Sequence, residues 1–202
     1  MSVEPIVFLV DDDPAVRDAL GLFLETSGLS VKCYASAQAF LDDNQASRPG
    51  CLVLDIRMPG MSGLELQDTL RTKQLEIPII FLSGHGDVPQ SARAFKGGAV
   101  DFIEKPFDET QLLDRIRNAI QLDLDKRAKH AQMHDVNVRF ARLTPREKEV
   151  MRHVVAGLSN KEIARLLAIS HRTVDVHRAR IMEKMEAKSL PDLVLIAVDC
   201  NR

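Results

Sequence analysis

A chain of 202 residues, 45% hydrophobic and 28% charged, is long enough for two modest folded domains, and this composition excludes a disordered or fibrous chain. Its apolar runs fall well short of the ~20 residues needed to span a bilayer, and MSVEPIVFLV carries an acid where a secretion signal would be basic. A cytoplasmic protein with no membrane partner is therefore expected. The net charge of −2 conceals a division: residues 1–120 hold 11 basic and 18 acidic residues (−7), and residues 121–202 hold 16 and 11 (+5). That is the pattern expected if only the second part meets a polyanion. Cys33, Cys51 and Cys200 have no CxxC spacing or histidine pattern to complete a zinc site, and are expected to be reduced and structural.

In chain order, PIVFLV (5–10) is a short apolar run ending in DDDP, and AVRDALGLFLETSG then places apolar residues at 16, 20, 23 and 24. This predicts a strand followed by a helix, with Asp13 as N-cap, Pro14 at the first helical position and Gly28 as a left-handed stop. LSVKCY, CLVLD, PIIFL and AVDFI read as further strands, and SAQAFLDD, GLELQDTLRT, PQSARAFKGG and the stretch from Asp108 as helices. Five strand–helix alternations predict a parallel, doubly wound sheet with helices on both faces, because parallel neighbours need crossovers and crossovers cover the faces. The helix from Asp108 meets no Gly or Pro and is expected to run on as a linker. From Leu143 the signal is helix only, with Thr144 as cap before Pro145, Gly157 as a stop and Ser159 as a fresh cap. The expected organisation is an α/β domain over 1–122, a helical linker over 123–141 and a small all-α domain over 142–202.

Ligands of parallel sheets bind outside the carboxyl ends of the strands. The residues there are Asp11, Asp12 and Asp13 after the first strand, Asp55 after the third, Ser83 after the fourth, and Lys105 and Pro106 after the fifth. A single aspartate in such a place is ordinarily a turn former or a cap, the role assigned to Asp13. Several carboxylates on one sheet edge repel unless a cation compensates, and oxygen-only ligands suit Mg²⁺. Carboxylate, hydroxyl, ammonium and metal together are equipment for a phosphoryl group. Gly84 leaves room for a phospho-donor to approach, and Arg57 and His85 flank the same opening.

In the second domain, Ser159 to Met185 reads as two helices joined tightly, with Ile163, Leu166 and Leu167 on the first and Val174, Ile181 and Met185 on the second forming a small core. Arg172, Asp175, Val176, Ala179 and Glu183 fall on the opposite face, too poor in apolar residues to be buried. Lys161, Arg178, Arg180 and Lys184 stand around it, placed to reach phosphates while small and polar side chains approach base edges.

VDDDP, LVLDIRMPGMSGLEL, FLSGHGD and DFIEKPF resemble the flavodoxin-like receiver domain of a two-component response regulator, over residues 5 to about 122. The resemblance implies that Asp55 is the phospho-acceptor. It implies Asp12 as a direct Mg²⁺ ligand, Asp11 as an outer one, and the Arg57 carbonyl beside Asp55 in the same shell. Ser83 and Lys105 would bind phosphoryl oxygens, the Lys105–Pro106 bond would be cis, and Phe102 would turn with Ser83 as a switch. The segment LTPREKEVMRHVVAGLSNKEIARLLAISHRTVDVHRARIMEKM is similar to the LuxR/NarL helix-turn-helix, over residues 142–200, with TPRE, AGLSNKEIA and TVxVH as signatures. This implies a recognition helix at 171–185, with Asp175, Val176 and Ala179 facing bases, Lys161, Thr173, His177 and Lys184 near phosphates, and Arg172 and Arg180 in the same DNA-contact set. Relatives often carry basic residues where this chain has Asp175 and Ala179, so Asp175 would instead accept from a cytosine amino group. The stripe of SLPDLVLIAV is implied as a dimer contact, alongside packing within its own domain.

The whole resembles the FixJ/NarL group of transcriptional response regulators. Implied partners are a sensor histidine kinase, double-stranded promoter DNA, RNA polymerase and a second copy of the chain, formed on phosphorylation and set on half-sites ~10 bp apart. An Mg²⁺-dependent phosphatase is the alternative of another class. It needs a second aspartate two residues after the nucleophile, where this chain has Arg57, so a regulator rather than an enzyme is expected.

Overall fold

The computed structural model describes residues 3–84 and 88–200. His85, expected at the mouth of the site, and the side chain of Cys200 lie outside the described residues. The chain divides into two compact units, residues 1–127 and 128–202.

In the first unit five parallel strands, β1 (Ile6–Val10), β2 (Ser30–Tyr34), β3 (Gly50–Asp55), β4 (Ile79–Ser83) and β5 (Asp101–Glu104), lie in the order β2-β1-β3-β4-β5. The crossovers are α1 (Pro14–Thr26), α2 (Ala37–Asp42), α3 (Gly63–Thr72) and α4 (Val88–Lys96), and α5 (Glu109–Ala141) follows β5. Every residue of β1, β3 and β4 is buried, as expected for strands covered on both faces. The period of two in a strand sorts them. Phe8, Val10, Leu52, Leu54 and Phe81 share a core with Phe40, Leu66 and Ala94 of α2, α3 and α4. Val7, Leu9, Val53, Ile80 and Leu82 share the other with Leu20 and Leu24 of α1 and Leu112 and Ile116 of α5. Asp13 caps α1 through a bond from the Ala15 N–H (2.8 Å), and Gly28 takes φ +83°, as its place in the sequence predicts. The winding reverses between β1 and β3, which makes the carboxyl ends of those two strands the edge where a ligand site forms.

The first unit extends past the expected boundary at residue 122, and Asp123 is the reason. It is 1% exposed and accepts from the Gly50 N–H (2.9 Å) and from Arg127 Nε (2.7 Å). Arg127 in turn donates to the carbonyls of Ser47 (2.7 Å) and Arg48 (3.0 Å). Residues 123–127, expected as linker, are thus fastened to the entry of β3. Gly50 is required there, since at φ +150° an added Cβ would lie 1.8 Å from the Ile6 carbonyl oxygen. Asp123→Ala would leave a buried N–H and a guanidinium without their acceptor, and is expected to cost about 2 kcal/mol in urea denaturation.

The second unit is helical: α6 (Pro145–Val155), α7 (Asn160–Leu166), α8 (His171–Met185) and α9 (Leu190–Cys200). Capping boxes at Thr144/Glu147 and Ser159/Glu162 start α6 and α7, and Gly157 at φ +84° ends the turn between them. Val150, Val154, Ile163, Val174, Ile181, Met185 and Leu193 make the core. Leu166, expected within it, is 61% exposed because it lies on the flank of the stripe formed by Ile163 and Leu167.

Candidate functional site

Val10 is paired with Leu54, so the residues that follow, Asp11 and Asp55, emerge side by side at the sheet edge. They are 1% and 8% exposed. Lys105, arriving from the end of β5, places Nζ 2.7 Å from Asp55 Oδ1 and 2.8 Å from Asp11 Oδ2. The remaining oxygens accept from main-chain N–H groups, Asp55 Oδ2 from Arg57 (2.7 Å) and Asp11 Oδ1 from Asp13 (2.9 Å). Both carboxylates are therefore oriented by the fold and not by solvent.

Gly63 secures the loop between. It opens α3, donates to the Ile56 carbonyl (3.0 Å), and an added Cβ would lie 2.3 Å from the Asp55 carbonyl oxygen. Only a residue without a side chain lets α3 close on the end of β3.

Two buried carboxylates share the Lys105 ammonium, and the imbalance shows at Asp55. Burial pushes the Asp55 carboxyl above the ordinary range and Asp11 adds repulsion, outweighing the lowering effect of Lys105 and of the Arg57 N–H. Burial alone would lower Lys105, but its hydrogen bonds to Asp11 and Asp55 prevail and raise it. Among the described residues Lys105 is the cation bridging both carboxylates. Asp12 is exposed and lines a cleft of about 860 Å³ with Arg57, Pro59, Ser62, Gln90 and Arg93. Among the described residues no group of three or more Asp, Glu, His or Cys side chains is placed to hold a metal ion on its own. The carboxylates of Asp11 and Asp55 are oxygen donors of the kind a hard cation such as Mg²⁺ takes, a cation that also keeps several waters.

Ser83 ends β4, one residue beyond Leu82, the neighbour of Asp55. It is 2% exposed, and its Oγ has no hydrogen-bond partner among the described residues. A buried hydroxyl without a partner costs free energy. The Lys105–Pro106 bond is cis, and the Lys105 N–H donates to the Ser83 carbonyl (2.7 Å). Phe102 is half-buried against the core on the α2–α4 face. A Cβ added at Gly84 would meet nothing within 4 Å, so packing leaves the opening clear.

In the second unit α8 presents Arg172, Thr173, Asp175, Val176, Ala179 and Arg180 to solvent and buries Val174, Ile181 and Met185. Lys161 is exposed in the first turn of α7. His177 is half-buried, with Nδ1 buried and without a partner among the described residues. Lys184, expected near phosphates, places its Nζ 2.6 Å from Oε2 of Glu147, which is 2% exposed. Its charge is committed to an internal partner that the pattern of α8 alone does not disclose. The TPRE capping box was the available signal, since it places Glu147 at the start of α6. Two further residues stand at Asp175: Asn160 Nδ2 donates to Oδ1, and His171 Nδ1 lies 3.1 Å from Oδ2, and no periodicity marks either residue.

Residues 7–117 match the response regulator receiver domain family, and residues 141–197 the luxR family of bacterial regulatory proteins. The chain is 44% identical over 198 residues to the transcriptional regulatory protein FixJ of Bradyrhizobium diazoefficiens, covering 98% of this chain and 97% of that one. It is 47% identical over 192 residues to FixJ of Rhizobium meliloti, with 95% and 94% covered. Among solved structures, that of the response regulator StyR superposes with a TM-score of 0.90 at 43% identity, over 96% of this chain and 98% of the other. Strand order and the helical second unit agree with these matches, and the chain belongs to the two-component transcriptional response regulators, with a receiver domain followed by a luxR-type DNA-binding domain.

Proposed function

We propose that Asp55 receives a phosphoryl group from a partner sensor histidine kinase and that the acyl phosphate promotes dimerisation and binding to promoter DNA. The observation that carries this reading is Ser83 Oγ, buried and without a partner among the described residues, at the sheet edge that holds Asp55, Asp11 and Lys105. Asp55 is the nucleophile: one carboxylate oxygen bonds phosphorus as the bond from phosphorus to the donor nitrogen breaks. Asp11, Asp12, Asp55 and the Arg57 carbonyl would hold Mg²⁺, which when bound supplies positive charge to the phosphoryl oxygens. Lys105 exchanges its bond to Asp55 for one to a phosphoryl oxygen, and Ser83 donates to another. Phe102, half-buried beside them, follows Ser83 inward. The state so favoured is the dimer-competent one, and differential stability of the two forms is all the switch requires.

The second domain is the output. α8 enters the major groove, Lys161 and Arg180 meet phosphates, and Asp175, Val176 and Ala179 face the bases. Leu195 and Val198 of α9 are exposed while Leu193 and Ala197 are buried, which supports a dimer contact by the outer stripe. RNA polymerase is the next partner of a promoter-bound dimer. Arg57 stands where a phosphatase of the aspartyl-phosphate type needs its acid, so the enzymatic reading gains no support.

Incubation of the full chain with acetyl phosphate and Mg²⁺ is expected to convert monomer to dimer in sedimentation velocity and to tighten promoter binding. A phosphorylated chain that stays monomeric and binds DNA no better would overturn the switch. Lys161→Ala is expected to weaken binding to all sequences alike and to reduce the salt slope by about one, read from affinities at several salt concentrations.

A further inference from the structure

We propose that Asn160 is the positioning residue for base recognition by α8, holding Asp175 as a fixed acceptor that selects cytosine. The inference rests on the DNA-binding reading above and deepens it. Asn160 opens α7 directly after the Ser159/Glu162 capping box, so its backbone is set by that box. Its amide faces two groups of opposite kind. Nδ2 donates to Asp175 Oδ1, and Oδ1 accepts from Arg178 Nη1 at 2.8 Å. A carboxylate only accepts and a guanidinium only donates, so the amide has one orientation that satisfies both. His171, one turn before Asp175 on α8, lies 3.1 Å from the other carboxylate oxygen. Asp175 is thereby held by the Asn160 amide on one oxygen while its side chain stays 52% exposed on the helix face that carries Val176 and Ala179.

Exposed pairs of this kind add little stability, so the effect of the arrangement is on direction. A carboxylate brought to DNA is repelled by phosphates and by the acceptors of guanine (O6, N7) and thymine (O4). It gains only where it meets an amino group. Adenine sets its N7 acceptor next to its N6 amino group, which opposes a carboxylate held in place. Cytosine offers the N4 amino group with no acceptor beside it in the major groove. A rotationally free aspartate would turn away from the wrong base. One held by the Asn160 amide cannot, and it therefore discriminates.

The test is selection of bound DNA from a random pool by the full, phosphodonor-treated chain and its variants. Wild type is expected to enrich cytosine over guanine at one position of each half-site by roughly tenfold. Asp175→Asn is expected to move that position to adenine, whose N6 and N7 suit an amide. Asn160→Ala is expected to leave cytosine first but cut its preference to roughly a third, with the salt slope unchanged because no phosphate contact is lost. Asn160→Ala with full cytosine preference would reduce Asn160 to a clasp between α7 and α8 and overturn the proposal. So would Asp175→Asn with cytosine retained, which does not depend on the fate of the Asn160 variant. Wild type that retains no DNA would instead overturn the DNA-binding reading, and this inference with it.

Discussion

Asp55→Asn is expected to take up no phosphoryl group from acetyl phosphate and Mg²⁺, whereas the wild-type chain gains the mass of one, read by intact-mass spectrometry. Asp55 is the carboxylate that meets both Lys105 and the edge bearing Ser83. Asp11 is more deeply buried, and Asp12 is not among the residues that Lys105 bridges. An asparagine keeps the shape and the acceptor oxygen for Lys105 but is not nucleophilic, so the fold survives and the chemistry does not. Full phosphorylation of the variant would assign the acceptor role elsewhere. The same substitution has a second expected result. The Asp55 carboxyl is raised in the folded state, so its ionised form costs stability at pH above that raised value, and the cost vanishes as pH falls and the proton returns. Asp55→Asn should therefore melt at a higher temperature than wild type near about pH 7, and the difference should shrink as pH falls through the raised value, where the wild-type carboxyl takes up its proton.

Lys184→Met is expected to destabilise the second domain by about 3 kcal/mol, because it keeps the bulk of the side chain and strands a buried carboxylate. Glu147 is 2% exposed and divides its bonds between Lys184 Nζ (2.6 Å) and the Thr144 N–H (2.8 Å). Burial alone would raise its carboxyl, but the hydrogen bonds from Lys184 and Thr144 outweigh it and hold the group below the ordinary range. A lowered carboxyl contributes stability that is complete above the unfolded value and is lost as pH falls through the folded one. Wild type should thus lose stability in acid, and the variant, which has already lost the pair, should lose less. Urea denaturation across the acid range measures both. If the variant matched wild type in stability and DNA affinity fell instead, Lys184 would return to the phosphate-contact set.

The two units differ in how much of them the sequence by itself determined. The βα alternation, the caps at Asp13, Thr144 and Ser159, the left-handed glycines at 28 and 157 and the strand-end residues are local patterns, set within a few residues of chain. Such patterns follow from hydrogen-bond and backbone geometry that needs no distant partner, and they sufficed to single out Asp11, Asp55, Ser83 and Lys105. What the tertiary structure decided are pairings between residues far apart in sequence. Lys105 bridges Asp11 and Asp55, Asp123 reaches Gly50 and carries the first unit past the expected boundary, and Glu147 pairs with Lys184. Each joins a charge to a buried partner on another element. A carboxylate that will be buried and one that will be solvated look alike along a chain, and only packing against the rest of the fold removes the water that distinguishes them.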